Sequence, residues 1–160
     1  MSTRFLLGML IVVVLGCTAL TCRADCFDIA AKYQHVNPAI LRAIAQVESQ
    51  NNPHAISRNK NGTVDMGLMQ INSIHLPELN RRGIHRRDLM NVCKNIYTAA
   101  WLLRGKMDRY GNTWKAVGSY HSVTPQYRGL YATLVRREIE REAETYREAE
   151  TYREASLYVH

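Results

Sequence analysis

Beyond residue 24, hydrophobic positions recur at helical rather than alternating spacing. Residues 26–35 open this pattern. Ile40, Leu41, Ile44 and Val47 then fall on one face of a helix, which predicts a buried stripe. Asn37-Pro38 supplies its start, with Asn as the N-cap and Pro at the first helical position. Glu48 lies four residues after Ile44 and seven after Leu41, so it projects from the edge of the stripe. The helical pattern breaks from 50 to 66. There Asn61-Gly62 predicts a turn, and Thr63-Val64 beside it a very short hairpin. A short helix near 73–82 and a turn at Arg82-Gly83 follow. A long amphipathic helix is expected from about Asn91 to Tyr110, its apolar face made by Ile96, Ala99, Ala100, Leu102, Leu103 and Met107. Gly111 ends it. Trp114 to Tyr120 gives a further helix, and another begins after Pro125. The fold class is mainly α: a compact helical domain with a very short hairpin or loop and a C-terminal helical extension.

The two ends read differently from this body. Arg4 precedes an uninterrupted apolar run from Phe5 to Gly16, and Cys22-Arg23-Ala24 places small residues for cleavage after Ala24. This is the grammar of a signal peptide, and the run falls short of the roughly 20 apolar residues of a spanning helix. Residues 1–24 are therefore expected to be a cleaved leader, giving a periplasmic protein with no stable membrane insertion. An uncleaved anchor, or a lipoprotein modified at Cys17, is the alternative. Cys17 and Cys22 leave with the leader, so Cys26 and Cys93 remain and are expected to pair in an oxidising compartment. Neither lies in a CxxC pair or a His-rich cluster, so no metal site and no cofactor is expected. At the other end REAETY occurs at 141–146 and 147–152, followed by REASLY at 153–158. A six-residue period turns a helix by about 240° per repeat, so Tyr146, Tyr152 and Tyr158 form no common stripe. Glu144/Arg147 and Glu150/Arg153 are spaced to support a solvated helix. The expected division is leader 1–24, functional domain 25–135 and charged helical tail 136–160.

Charge narrows the partners. The whole chain carries a formal +7, and losing Arg4 and Arg23 takes Lys+Arg from 21 to 19 against 14 acids, or +5. The tail from Arg136 holds 5 Arg and 7 Glu, which leaves the body at +7. A basic body suits an anionic polymer. An exported protein rarely meets nucleic acid, whereas peptidoglycan, with its lactyl-peptide carboxylates, is at hand.

Cleaving a glycoside needs an acid that keeps its proton near neutral pH, and an apolar surround supplies that by disfavouring the charged form. Glu48, at the end of an apolar stripe and beside a polar loop, is a candidate. Spacing alone equally describes a solvated acid in the last turn of a helix. The words around it are more specific. Ile44-Ala45-Gln46-Val47-Glu48-Ser49 is followed by Asn52-Pro53-His54-Ala55-Ile56-Ser57 and Gly67-Leu68-Met69-Gln70-Ile71-Asn72. Asn95-Ile96-Tyr97 with Trp101-Leu102-Leu103, and Trp114-Lys115-Ala116-Val117-Gly118-Ser119-Tyr120, come next. Over about residues 25–122 the chain resembles the soluble lytic transglycosylase domain of the lysozyme superfamily. More narrowly, it is similar to the small periplasmic members that serve type III secretion, conjugation and type IV pilus machines.

The resemblance implies an α+β lysozyme-like fold with the hairpin or loop beside an active-site cleft. It implies that Glu48 is the single catalytic acid and base, acting on the bond between N-acetylmuramic acid (MurNAc) and N-acetylglucosamine (GlcNAc). The C6 hydroxyl of the muramic residue would attack its own anomeric carbon, leaving a 1,6-anhydro end without consuming water. The substrate's acetamido group would stabilise the cationic centre. Ser49 matches a residue that orients the Glu or the substrate, and Met69 and Gln70 match the sugar-contacting wall. Tyr120 matches an aromatic that holds the Glu or the acetamido group. Cys26 and Cys93 fall where the secretion-associated members carry their pair. Leu68, Ile71, Trp101 and Trp114 read as packing residues. Partners implied are glycan strands and proteins of a secretion, pilus or conjugation apparatus, with the enzyme acting as a monomer.

Two departures from the family's pattern leave alternatives open. Asp65 stands just before Met66-Gly67-Leu68-Met69-Gln70, where larger members carry a small residue. It lies 17 residues after Glu48, a separation like that of the two catalytic carboxylates in animal-type lysozymes. Asp65 is thus either a second carboxylate across the cleft or an acid closing the Asn61-Gly62 turn. Tyr120-His121-Ser122 replaces the usual Tyr-Asn-x-Gly, so His121 either takes over the role of that Asn or is a half-exposed residue at a helix end. Three functions remain: lytic transglycosylase, lysozyme-like hydrolase using Glu48 and Asp65, and a non-enzymatic peptidoglycan-binding assembly factor.

Overall fold

The computed structural model describes residues 20–157, with side chains described from Cys26 onward. The expected leader lies outside the described residues except for 20–24, whose backbone begins the first helix. Six α-helices run in chain order: α1 Leu20–Gln34, α2 Pro38–Ser49, α3 Leu76–Arg81, α4 Val92–Tyr110, α5 Trp114–His121 and α6 Pro125–Leu157. Between α2 and α3 lie β1 Ile56–Arg58, β2 Val64–Met66 and β3 Ile71–Asn72, and a 3-10 turn, Ser73–His75, leads into α3. The strands form one antiparallel sheet in the order β1-β2-β3, with Ser57 opposite Asp65 and Asp65 opposite Asn72. The fold is mainly α and lysozyme-like, as the helical spacing and the resemblance imply. Among the described residues no helix is long and apolar enough to cross a membrane.

Local chemistry explains most boundaries. The Asn37 Oδ1 accepts the Ala39 N–H at 2.8 Å and Pro38 occupies the first turn of α2. At its other end Gln50 and Asn51 both adopt left-handed backbone (φ 54° and 61°), which stops the helix at Ser49. Asn91 caps α4 by accepting the Lys94 N–H at 3.0 Å, and Gly111 follows its last residue. The hairpin turns where Asn61-Gly62 predicts it. Asn61 Oδ1 accepts the Thr63 N–H at 3.1 Å and Gly62 has φ +83°.

Leu41, Ala43, Ile44 and Ala45 of α2 are wholly buried, together with Ile96, Ala99, Ala100 and Leu103 of α4. Around this pair pack Phe27, Ala30 and Ala31 of α1, Val117 of α5 and Val135 of α6. Cys26 and Cys93 form a disulfide that ties α1 to the start of α4, with a Cα–Cα distance of 5.4 Å. Closing this loop contributes roughly 4 kcal/mol in the chain-entropy account. α5 and α6 approach at Gly118, where any added Cβ would stand 2.2 Å from the Arg128 carbonyl oxygen.

The 33 residues of α6 run without a break across the 135/136 division. Tyr131, Ala132 and Val135 are buried, and Ile139 packs on the core. Past Ile139 the helix continues into solvent, where Tyr146 and Tyr152 are exposed.

Candidate active site

The end of α2, the sheet, the 3-10 turn, α4, α5 and the start of α6 enclose a cleft of about 970 Å³. Glu48, Asp65, Gln70, Asn72, Tyr120 and His121 all line it. α2 places Glu48 there because its buried stripe ends one turn earlier and the left-handed pair after Ser49 turns the chain away. Its side chain retains 14% of its exposure. The Tyr131 hydroxyl donates to Glu48 Oε1 at 2.6 Å, and His121 Nδ1 lies 4.0 Å from the same oxygen. The Glu48 pKa is raised to about 7, chiefly by burial. The Tyr131 hydrogen bond opposes this rise, and the charge of Asp65 adds to it. Burial and the nearby Glu48 charge push the Tyr131 hydroxyl well above its ordinary range, so it stays a donor.

Asp65, in the middle of β2, presents its carboxylate to the same cleft. One oxygen accepts Asn72 Nδ2 at 2.6 Å and the other accepts Asn59 Nδ2 at 2.8 Å. The two carboxyl groups thus have different surroundings: one is buried beside a phenol, the other is held between two amides.

The other expected residues sit close by, with different contacts. Ser49 Oγ donates to the Leu68 carbonyl at 2.7 Å, tying the end of α2 to the loop that crosses it. Gln70 lines the cleft, and its Nε2 donates to the carbonyl oxygens of Gly67 (2.8 Å) and Ala55 (3.2 Å). The Tyr120 hydroxyl donates to the Met69 carbonyl at 2.9 Å, so the phenol bonded to Glu48 is that of Tyr131. The His121 ring stacks on Tyr131, with centroids 4.9 Å apart and planes 5° from parallel.

Met69 corrects the expectation for the sugar-facing wall. Its side chain is fully buried, and only its backbone serves the site. Gly67 (φ +73°) and Gln70 (φ +47°) curl this loop so that Leu68 and Met69 both turn into the core.

Two further residues carry the site: Tyr131, which no motif touches, and Asn95, which stands in an ordered motif without a role attached to it. Tyr131 stands 83 positions from Glu48, and its only local signature is a buried pair with Val135 on one helical face. Asn95, fully buried on α4, accepts the Met69 N–H at 2.7 Å and donates to the carbonyls of Leu89 (2.9 Å) and Met66 (3.0 Å). A buried polar side chain with three such bonds pins the loop to α4. Among the described residues, no group of three or more His, Cys, Asp or Glu is arranged to hold a metal ion.

Known proteins match this arrangement in sequence. The family model described as "Transglycosylase SLT domain" matches residues 25–128, ending three residues before Tyr131. Invasion protein IagB of Salmonella typhimurium is 40% identical over 109 residues, 68% of each chain. Protein IpgF of Shigella flexneri is 40% identical over 103 residues, 64% of this chain and 68% of its own. An X polypeptide of Escherichia coli is 42% identical over 103 residues, covering 63% and 61% respectively. With the model spanning most of the chain and the lysozyme-like fold around it, the protein belongs to the transglycosylase SLT domain family.

Proposed function

We propose that this protein is a peptidoglycan lytic transglycosylase that cleaves the MurNAc-β-1,4-GlcNAc bond. One observation carries the reading: in the cleft of an SLT domain, Glu48 is buried, holds its proton up to about pH 7, and is oriented by the Tyr131 hydroxyl. Protonated Glu48 donates to the bridging oxygen, and the bond from that oxygen to the muramic C1 breaks as GlcNAc leaves. The acetamido group of the same muramic residue supports the positive charge at C1. Glu48, now a carboxylate, takes the proton from the C6 hydroxyl as that oxygen bonds to C1. The product is one water lighter than a hydrolysis product, and Glu48 regains its proton. The Tyr131 O–H stabilises the carboxylate between the two transfers, which a phenol of raised pKa can do without losing its own proton.

A second reading is favoured by Asp65. Its carboxylate faces the same cleft and contributes to the raised Glu48 pKa. In that reading Asp65 stabilises the oxocarbenium ion or positions a water, and the enzyme is a hydrolase. Mass spectrometry of muropeptides released from sacculi separates the two. Anhydro ends, with activity kept in Asp65→Asn, are expected; reducing ends, with activity lost in Asp65→Asn, would establish the hydrolase.

The pH profile offers an independent check. Glu48 must be protonated to act first as an acid, so kcat/KM is expected to fall as pH rises through about 7. Tyr131→Phe removes the hydrogen bond that lowers the Glu48 pKa, so the falling limb should move to higher pH. Turnover should also drop about tenfold or more, because the carboxylate formed midway loses its donor. A limb that stays in place in Tyr131→Phe would remove Glu48 as the titrating acid.

The signal-peptide-like sequence at 1–24 and the basic body support action in the periplasm on the wall itself. The resemblance to the small members that serve secretion and conjugation machines supports a task of opening the wall locally for such an apparatus.

A further inference from the structure

The cleft is far larger than the reacting bond requires, and its charged lining is uneven. Its carboxylates are Glu48 and Asp65, both already engaged by neighbours within the site. Its lysines are Lys60, on the turn between β1 and β2, and Lys106, on α4. The two other cations of α4 with acidic neighbours are paired: Lys94 Nζ lies 2.7 Å from Asp88 and Arg104 Nη2 lies 2.9 Å from Asp108. Lys106 comes two residues after Arg104, about 200° around the helix, and faces the cleft with no ion pair among the described residues. Leu102, one turn before Lys106, lines the cleft on the same face. Beside them the 3-10 turn contributes Ile74 and His75. The His75 imidazole is half-buried, and its pKa is lowered by burial and then by the Lys106 charge, which places the two side chains within electrostatic reach.

We propose that Leu102 and Lys106 of α4, with Ile74 and His75 of the 3-10 turn, form a subsite for the acidic peptide branching from the glycan strand. This rests on the transglycosylase reading and extends it to substrate class. The Lys106 ammonium pairs with a peptide carboxylate, and the His75 ring N–H donates a second hydrogen bond to it. Leu102 and the exposed Ile74 cover the small apolar side chains beside that carboxylate. A glycan stripped of its peptides keeps only the lactyl carboxylate held close to each muramic ring, whereas a muramic residue bearing an acidic peptide carries carboxylates and apolar side chains further out, where this wall lies. The enzyme then prefers peptide-bearing strands over strands from which the peptides have been removed. The unpaired ammonium is what makes the subsite selective, since a half-buried cation in a cleft focuses the field on an incoming anion.

Binding tests this apart from catalysis. The full chain carrying Glu48→Gln, which does not turn over, is titrated calorimetrically with two ligands. One is a glycan tetrasaccharide bearing its peptides; the other is the same tetrasaccharide after amidase removal of the peptides. The peptide-bearing ligand is expected to bind about fivefold or more tightly, with the difference shrinking as salt rises. Adding Lys106→Gln should bring the two affinities within about twofold of each other through loss on the peptide-bearing ligand, while Lys106→Arg keeps the preference. Equal affinities with Lys106 in place, or an equal loss on both ligands in Lys106→Gln, would overturn the subsite. A wild-type enzyme that releases no anhydro muropeptides would instead count against the catalytic reading, which this titration does not use.

Discussion

Glu48→Gln is expected to abolish release of muropeptides, lowering kcat/KM about a thousandfold or more, while leaving a better-folded protein. The two effects have one cause. Burial holds the Glu48 carboxyl near pKa 7, well above the value of 4.5 it has when exposed. Between those two values the folded state keeps a proton that the unfolded state has released, so stability falls as pH rises through this window. Above pH 7 the folded protein carries a buried charge that costs up to about 3 kcal/mol. Gln has no charge to bury and still accepts from the Tyr131 hydroxyl, so Glu48→Gln should melt higher than wild type at pH 7.5 and equally at pH 4. For catalysis the same exchange removes both the proton for the leaving oxygen and the base for the C6 hydroxyl. Thermal unfolding at the two pH values, alongside muropeptide release, checks both halves. A variant that melts higher yet still cleaves would remove Glu48 from the chemistry.

Gly67→Ala should do the opposite, costing both fold and function. Gly67 holds φ +73°, a region that costs an L-residue about 1–2 kcal/mol. A Cβ there would also stand 2.4 Å from the Leu89 carbonyl oxygen and 2.6 Å from Asn95 Nδ2. Neither neighbour is free to move. Leu89 is anchored by that carbonyl's bond to Asn95, and Asn95 also holds Met66 and Met69. Strain and overpacking together are expected to cost about 3 kcal/mol or more, the scale of a severe core substitution. Because the displaced loop carries the carbonyls that receive Ser49 and Tyr120, cleavage should fall even at temperatures where the variant stays folded. Chemical denaturation with activity on the folded fraction tests this, and a variant within 1 kcal/mol of wild type would show that the loop relaxes around the methyl group.

The legible parts of this protein were those set by local chemistry. Asn37-Pro38 announces the start of α2 because capping and proline geometry act over two residues. Asn61-Gly62 announces the hairpin because the turn requires left-handed backbone there. Glu48 is visible as a candidate because an apolar stripe ends beside it, and the ordered words downstream single it out from other helix-end acids. Met69 was misplaced for the complementary reason. Read linearly, Gly-Leu-Met-Gln is a run of wall residues, but two positive φ angles within four residues send Met69 inward. β3 has two residues, too few to show any period. A change of composition falls at 135/136, where the charged tail begins. The helix ignores it, since no Gly or Pro follows Gly129 and Ala, Glu and Arg continue it readily.

By itself, then, the sequence determined the helical class, the main caps and turns, the cysteine pair and the acid at the end of α2. The cysteine pair follows from count and compartment, and the rest depend on neighbours within a few positions or on ordered motifs. Tertiary structure alone decided which hydroxyl meets that acid. Tyr120, 72 positions from Glu48, bonds a backbone carbonyl, while Tyr131, 83 positions away, reaches the carboxylate. That choice follows from α6 lying against α2 and α5, held close at Gly118 where only a hydrogen fits beside Arg128. Burial by that packing is also what lifts Glu48 to about pKa 7, and desolvation leaves no mark on the order of residues along a chain.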